Sequence, residues 1–309
     1  MAKVAFVFPG QGSQKVGMGR EVFDQTDAGR AAFEEVDGAL AMSLSTLCFD
    51  GPEEDLRLTS NTQPAILATS IALYRALGET PDVAAGHSLG EYSAHVAAGT
   101  LSLADAARTC RQRGLFMQEA VPVGEGAMAA VMKAEPALVD RICEETEGVV
   151  EPANYNSPGQ IVIAGAKASV EAAAAALKEA GARAVPLAVS APFHSSLMKP
   201  AQDRLEPVLG ALELADPAFP VYTNVDASPV TTGDAARDAL VRQVSGAVRW
   251  DESVRAMIAD GVGLFVELGA GNVLTNLLKR IDKGVARCTV QSPADFEAAR
   301  EAIAAARDA

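Results

Sequence analysis

The sequence predicts an α/β protein in which a small subdomain is inserted into a larger one built on a parallel sheet. The opening segment 3–8 is a continuous apolar run, which is typical of a strand buried on both faces. Strand and helix patterns then alternate, except between residues 124 and 190, where the order becomes strand–helix–strand–strand–helix–strand. The 309 residues, 49% of them hydrophobic, are enough for two units with buried cores.

The large subdomain is predicted to comprise residues 1–123 and 191–309. Its strands are expected at 3–8, 82–85, 219–224 and 264–268. Its first helices are expected at 21–40, 64–77, 91–98 and 103–121, with further helices after the last strand. This alternation indicates a largely parallel sheet covered by helices.

The inserted segment 124–190 is predicted to form a self-contained unit. Its strands are expected at 127–132, 149–155, 160–164 and 183–189, and its helices at 136–146 and 169–180. That order is the ferredoxin-like (βαββαβ) arrangement.

Composition excludes several classes of protein. The formal net charge of −14 argues against a nucleic-acid binder and against a partner of anionic membranes. No segment has the length and apolarity of a membrane span or of a signal-peptide core. The four cysteines are scattered, without metal-ligand spacing, so we expect no disulfide framework, no metal site and a cytoplasmic, reducing location.

The loop after the first strand, at 9–14, is rich in glycine. It fails as a dinucleotide-binding fingerprint, because Lys15 stands where the third glycine is required. We therefore expect no dinucleotide cofactor. Gly10 and Gly12 free the backbone N–H groups of this loop to approach a ligand closely.

A Gly-x-Ser-x-Gly pattern follows the second predicted strand, at Gly86, Ser88 and Gly90. It is the pattern of a nucleophile elbow, a strained strand-to-helix turn that exposes a serine hydroxyl in α/β-hydrolase-like folds. The N–H of Leu89 would lie at the helix N-terminus, where an oxyanion is favoured. An ordinary glycine-rich turn is the alternative interpretation.

A serine nucleophile needs a base, and the sequence has three histidines. His87 should point away from the serine and pack against the sheet. His95 lies about two helical turns further on, roughly 10 Å away, in a core or surface position. His194 lies where the inserted segment returns to the large subdomain, at the wall of a cleft, and is the candidate base.

Three arginines lie on the predicted helix 103–121, the second helix after the elbow. Arg108 and Arg111 are typical of a solvated basic face. Arg113 is followed by an apolar stretch and is expected to be buried, where a guanidinium needs a partner such as a substrate carboxylate.

Five ordered motifs together resemble the malonyl-CoA:acyl-carrier-protein transacylase family. The resemblance extends from residue 6 to about residue 275, nearly the whole chain. The motifs are Phe-Pro-Gly-Gln-Gly-Ser-Gln at 8–14, Gly-His-Ser-Leu-Gly-Glu-Tyr-Ser-Ala at 86–94, Gln-Arg-Gly at 112–114, Ala-Asn-Tyr-Asn-Ser-Pro-Gly-Gln at 153–160 and Ala-Pro-Phe-His-Ser at 191–195.

The resemblance implies a two-step exchange through an acyl-serine. Ser88 would attack the malonyl thioester, and His194 would take its proton. The backbone N–H groups of Gln11 and Leu89 would form the oxyanion hole. Arg113 would bind the free malonyl carboxylate, and Gln243 would orient the histidine through its backbone carbonyl. Further positions implied to line the substrate pocket are Gln63, Asn156 and Phe193.

The resemblance also implies partners and leaves rivals open. The partners would be malonyl-CoA and holo-acyl carrier protein, with no cofactor, no metal, no nucleic acid and no membrane, and we expect a monomer. Because carrier proteins of such systems are acidic, docking would need a local basic patch. Its candidates are Lys178, Arg183, Lys199, Lys279, Arg280 and Lys283. The rivals are an acyl hydrolase, a discrete malonyl-specific acyltransferase of polyketide synthesis and a non-catalytic scaffold.

Overall fold

A computed structural model describes residues 1–189 and 191–308, which form two sheets. The strands are β1 (Lys3–Phe8), β2 (Val83–Gly86), β3 (Gly126–Met132), β4 (Val150–Ser157), β5 (Gln160–Ala166), β6 (Arg183–Pro186), β7 (Val221–Tyr222), β8 (Pro229–Val230), β9 (Val262–Leu268) and β10 (Ala286–Val290). The large sheet has the order β10-β9-β1-β2-β7-β8, and only its β7–β8 pair is antiparallel among the described pairs.

Fourteen helices are found in the described ranges, together with two short 3₁₀ turns at Ser196–Met198 and Pro293–Asp295. They are α1 (Arg20–Gln25), α2 (Asp27–Leu40), α3 (Leu44–Asp50), α4 (Glu53–Leu56), α5 (Thr59–Leu77), α6 (Gly90–Ala97), α7 (Leu103–Glu119), α8 (Pro136–Glu145), α9 (Lys167–Glu179), α10 (Lys199–Gly210), α11 (Gly233–Arg242), α12 (Trp250–Ala259), α13 (Val273–Ile281) and α14 (Phe296–Asp308). None of the described helices is long and apolar enough to span a membrane.

The small sheet is antiparallel, with the order β4-β5-β3-β6, and α8 and α9 belong to the same segment. This confirms the predicted ferredoxin-like arrangement, beside a mixed α/β body with a mostly parallel sheet. The subdomain boundaries at 123/124 and 190/191 stay a prediction. Ser190, at the second boundary, and the last residue, Ala309, lie outside the described residues.

Two predicted elements of the large subdomain differ from the structure. The helix expected at 21–40 is two helices, because Thr26 has extended backbone dihedrals and its Oγ1 accepts the N–H of Gly29, which caps α2. The helix expected to start at 64 starts at residue 59, although proline favours a first helical position. Pro64 instead lies inside α5, whose first turns are buried.

The outer strands of the large sheet differ most from the predicted elements. The segment expected at 219–224 contributes only two residues to β7, and β8 and β10 were not predicted. In β10 four of five residues are only partly buried or exposed, so its sequence lacks the apolar run of a central strand.

Packing of β1 places its end against the elbow. Val4, Phe6 and Phe8 belong to one apolar core and Ala5 and Val7 to another, as expected for a strand buried on both faces. Phe8 pairs in parallel with Gly86 of β2. The glycine-rich loop after β1 and the serine after β2 therefore start side by side at the carboxyl edge of the sheet.

Candidate active site

The turn between β2 and α6 presents Ser88 in a left-handed conformation, with φ of 52°. A Cβ on Gly86 would lie 1.8 Å from the carbonyl carbon of Gly90, and a Cβ on Gly90 would lie 2.0 Å from the carbonyl oxygen of Phe8. Both positions therefore exclude side chains. The Gly-x-Ser-x-Gly spacing is explained by these close approaches, as in a nucleophile elbow.

Asn224, just after β7, holds the elbow in place. Its Oδ1 accepts the N–H of Ser88 at 2.6 Å, and its Nδ2 donates to the carbonyl of Gly86 at 2.7 Å. Both bonds are made to the backbone of the strained turn. In the sequence, Asn224 is predicted only as the last residue of a strand, and a polar residue at the carboxyl end of a strand was the available signal.

His194 lies next to the serine hydroxyl, with its Nε2 2.6 Å from Ser88 Oγ. On the other side of the ring, Nδ1 is 3.0 Å from the carbonyl oxygen of Gln243 and 3.1 Å from that of Gly246. Because carbonyl oxygens only accept, Nδ1 carries the proton and Nε2 accepts from the hydroxyl. The histidine is thus in the tautomer that a general base needs, oriented by two main-chain carbonyls.

His194 is also in the protonation state that a general base needs. Burial, the positive charge of Arg113 and the nearby His87 lower its pKa to about 3, against the opposing effect of the two carbonyl bonds. The imidazole is therefore neutral around pH 7 and free to accept a proton.

Arg113 of α7 is 1% exposed and reaches the same hydroxyl. One terminal nitrogen, Nη1, donates to Gln63 Oε1 at 2.9 Å. The other, Nη2, donates to Ser88 Oγ at 3.1 Å and to the side-chain Oε1 of Gln243 at 2.9 Å. These partners are all neutral oxygens. Among the described residues no carboxylate forms a salt bridge with this guanidinium, so an anionic ligand group would be a stronger partner.

Of the other two arginines of this helix, Arg108 is exposed, as expected for a solvated basic face, whereas Arg111 is partly buried. Arg108 forms an exposed ion pair with Asp105 at 2.8 Å. Arg111 donates to Asn61 at 3.0 Å, away from the serine.

The loop containing Gln11 lies against the elbow. A Cβ on Gly10 would be 2.4 Å from the carbonyl oxygen of His87, so the backbones are in direct contact. Within residues 1–189 and 191–308, the backbone N–H groups of Gln11 and Leu89 donate to no protein carbonyl. Free backbone donors on either side of a serine are what an oxyanion hole requires. The role of both residues stays a prediction.

A cavity of about 270 Å³ opens onto Ser88 and His194 between the two sheets. Its walls include the predicted pocket residues Asn156 and Phe193, whereas Gln63 lies behind Arg113 and does not line it. Further apolar lining residues, which sequence analysis missed, are Met128, Val162, Leu187, Val189, Val273, Leu274 and Leu277. The cleft is thus formed by the elbow, β3–β5 of the small sheet and α13.

The other two histidines do not reach the hydroxyl. His87 packs beside Trp250, with ring centroids 5.8 Å apart, and its Nε2 is 2.8 Å from Asn156 Oδ1. His95 is buried in α6, and neither ring nitrogen has a hydrogen-bond partner in the described parts of the chain. Burial lowers the pKa of both imidazoles.

The candidate basic residues are all exposed. Arg280 of α13 donates to the side chain of Gln160, which lines the cleft, whereas Lys199 pairs with Asp203 at 2.8 Å. Arg280 is therefore the candidate in most direct contact with the cleft.

Across the described residues, no group of three or more His, Cys, Asp or Glu side chains could hold a metal ion.

This combination of an α/β body, a serine elbow and a neutral histidine base is that of an acyl transferase. The family model described as acyl transferase domain matches residues 5–294. More specifically, the chain belongs to the malonyl CoA-acyl carrier protein transacylase family.

Two curated relatives with that name are similar over their whole length. The Bacillus subtilis (strain 168) protein is 48% identical, covering 98% of this chain and 98% of its own. The Escherichia coli (strain K12) protein is 50% identical, covering 97% of this chain and 100% of its own.

Solved structures agree with the fold. An acyl-carrier-protein S-malonyltransferase from Bartonella henselae superposes with a TM-score of 0.95 at 45% identity, covering 98% of this chain and 99% of that one. A malonyl-transacylase in complex with a holo type II polyketide acyl-carrier protein gives a TM-score of 0.95 at 45% identity, covering 97% of this chain and 100% of that one.

Proposed function

We propose that the protein transfers the malonyl group of malonyl-CoA to the phosphopantetheine thiol of acyl carrier protein, supplying extender units for fatty acid biosynthesis. One observation carries the proposal: the Ser88 hydroxyl contacts both a neutral histidine, His194, and a buried cation, Arg113. A nucleophile and base serve acyl transfer in general, and the cation adds recognition of an acyl group with a free carboxylate. The names of the relatives support the same reaction.

In the first step Ser88 Oγ attacks the thioester carbonyl while His194 Nε2 takes the hydroxyl proton. The negative charge that develops on the carbonyl oxygen is accepted by the N–H groups of Gln11 and Leu89. The carbon–sulfur bond then breaks, and His194 returns the proton to the CoA thiolate. The product is a malonyl ester on Ser88.

In the second step the carrier's pantetheine thiol gives its proton to His194 and attacks the ester. The carbon–oxygen bond breaks, and His194 passes the proton to Ser88 Oγ, which regenerates the serine hydroxyl. The carbonyls of Gln243 and Gly246 keep the ring in one orientation for both proton transfers. The apolar walls of the cleft suit the pantetheine arm, which carries no charge.

Arg113 selects the acyl group in this proposal. Its guanidinium has neutral partners in the protein, and the free carboxylate of malonate can form a charge-assisted, bidentate pair with it. Gln63 supports the guanidinium from behind, while Asn156 and Phe193 contribute to the wall of the acyl pocket.

The carrier of a polyketide pathway is the second candidate partner. The relative solved with such a carrier has the same fold as this chain, so the fold is compatible with either carrier. We further propose that the protein is a cytoplasmic monomer that needs neither a metal nor a cofactor. The four free cysteines, three of them buried, are in keeping with a reducing compartment.

Intact-protein mass spectrometry after incubation with malonyl-CoA tests the function. We expect the protein to gain the mass of one malonyl group, because Ser88 is the acyl acceptor of the first step. Adding holo-acyl carrier protein should discharge the adduct and move the same mass to the carrier. Release of free malonate without transfer to the carrier would instead establish a hydrolase, and the absence of both adduct and turnover would leave a scaffold.

Charge reversal at the cleft should weaken the binding of carrier protein but not the binding of malonyl-CoA. We expect Arg280→Glu to raise the KM for carrier protein roughly two- to fivefold, the scale of an exposed ion pair, and to leave the KM for malonyl-CoA unchanged. The matched control is Arg141→Glu, the same change at an exposed position of α8. Equal effects on both substrates, or an equal effect of the control, would reject Arg280 as a docking residue.

A further inference from the structure

Glu91, in the first turn of α6, is a fully buried carboxylate beside the reacting serine. Its Oε2 accepts hydrogen bonds from Asn224 N–H and from Gln243 Nε2, each at 2.9 Å. Its Oε1 is buried and has no hydrogen-bond partner in the described residues. An ionised oxygen without a donor is costly in a protein interior, and the transfer steps above give Glu91 no task.

Gln243 connects this carboxylate to the acyl-binding cation. Its Nε2 donates to Glu91 Oε2 and, at 2.8 Å, to the carbonyl oxygen of Ser88, while its Oε1 accepts from Arg113 Nη2. The amide has one donor end and one acceptor end, so Glu91 and Arg113 fix the same orientation of Gln243. They are the two ends of one buried chain of hydrogen bonds that also contacts the serine.

We propose that Glu91 is a positioning residue that balances the charge of the acyl pocket, offsetting Arg113 without substrate and taking up a proton when a malonyl carboxylate binds there. The inference rests on the proposed function, because it needs an acyl group with a free carboxylate. Without substrate, the negative charge of Glu91 stabilises a buried guanidinium whose hydrogen-bond partners among the described residues are neutral. When the malonyl carboxylate pairs with Arg113, Glu91 becomes a surplus buried anion, and Oε1 is the oxygen that receives the proton.

The surroundings of Glu91 place the pKa of its carboxyl group near neutral pH. Burial raises its pKa to about 7, although the hydrogen bonds from Gln243 and Asn224 and the charge of Arg113 act in the opposite direction. The other charged group facing it is Asp226, after β7, which raises the pKa. The charge of Asp226 is constant near neutral pH, because its hydrogen bonds with Arg242 hold its own pKa below the usual value.

The remaining titratable neighbours do not compete for this proton. Burial lowers the pKa of both His194 and His87, so both rings are neutral around pH 7. Tyr92, next along α6, is also neutral, because burial raises the pKa of its hydroxyl. Among the described groups around Ser88, Glu91 is therefore the one whose charge changes near neutrality.

Binding of the malonyl carboxylate and protonation of Glu91 are coupled. Pairing Arg113 with a substrate carboxylate weakens its lowering effect on the pKa of Glu91 and adds a like charge, so that pKa rises further. Above about pH 7, binding of malonyl must protonate an ionised Glu91, and its affinity falls as pH rises, by at most about tenfold per pH unit. An acetyl group brings no carboxylate and should show no such fall.

The test compares kcat/KM for malonyl-CoA and acetyl-CoA from about pH 6.5 to about pH 9 in the wild type and in Glu91→Gln. The amide oxygen of the variant can still accept from Asn224 and Gln243, but the side chain is neutral at every pH. We expect the wild type to lose malonyl activity relative to acetyl activity as pH rises, and Glu91→Gln to keep a constant ratio. Glu145→Gln, at an exposed position of α8, is the matched control and should behave as the wild type.

A second measurement needs no turnover. In Ser88→Ala, which cannot be acylated, calorimetry in buffers of different ionisation enthalpy should show more proton uptake with malonyl-CoA than with acetyl-CoA near pH 8. Adding Glu91→Gln should remove the difference. Equal proton uptake for both ligands, or an unchanged pH dependence in Glu91→Gln, overturns the role of Glu91. Failure of the wild type to form a malonyl adduct would instead overturn the proposed function.

Discussion

Replacing Ser88 with alanine should abolish the malonyl adduct and lower malonyl transfer by roughly 10⁴-fold or more, the scale seen when a serine nucleophile is removed. The structural reason is that Ser88 Oγ is the atom between His194 and Arg113. The fold should be unaffected, because Asn224 and Gln243 bind the backbone N–H and carbonyl of this residue rather than its hydroxyl. Mass spectrometry and a carrier-acylation assay measure the two effects.

Ser93→Ala is the matched control for this substitution. Ser93 is buried in α6, the helix that follows the elbow, and its Oγ has no hydrogen-bond partner in the described part of the structure. Its loss should leave the adduct and the transfer rate unchanged. A malonyl adduct that persists in Ser88→Ala would show that another residue accepts the acyl group, and it would refute the mechanism.

The parts of the site that the sequence predicted are those with a strong local signature. Gly86 and Gly90 are required by backbone contacts within the elbow itself and with Phe8, so their spacing around Ser88 carries the geometry. The apolar residues after Arg113 indicated its burial. The resemblance to a family supplied the remaining roles, including that of the Gln243 carbonyl, which the residues alone did not indicate.

The parts that the sequence could not predict depend on contacts between distant segments. Asn224 binds the backbone of Ser88 from 136 residues away, and Gln243 meets Glu91 across 152 residues. The position of Asn224 at the end of a predicted strand indicated a polar group at the edge of the sheet, but not the segment that it binds. The same holds for the fold: the ferredoxin-like order was readable from local patterns, whereas β7 and β10 are defined mainly by the neighbours with which they pair.

Replacing Arg113 with alanine should remove the preference for malonyl. We expect malonyl transfer to fall by roughly 10²- to 10⁴-fold, because the substrate carboxylate would be buried without its partner, which costs about 3–5 kcal/mol. Acetyl transfer should fall much less, so that its relative rate rises, since an acetyl group makes no use of the cation. The measurement is kcat/KM for malonyl-CoA and acetyl-CoA with the same carrier protein.

Arg111→Ala, two residues earlier on the same helix, separates loss of the guanidinium from damage to α7, because Arg111 contacts Asn61 and not the serine. It should leave the acyl preference unchanged.

The substitution at Arg113 also removes a positive charge that lowers the pKa of His194. That pKa should therefore rise towards its usual range, while burial still keeps the ring neutral near pH 7. The base therefore stays competent, and a loss confined to malonyl is attributable to the carboxylate contact. If malonyl and acetyl transfer fell by the same factor, Arg113 would act on the Ser88 hydroxyl in both reactions, and the choice of acyl group would have to lie elsewhere in the cleft.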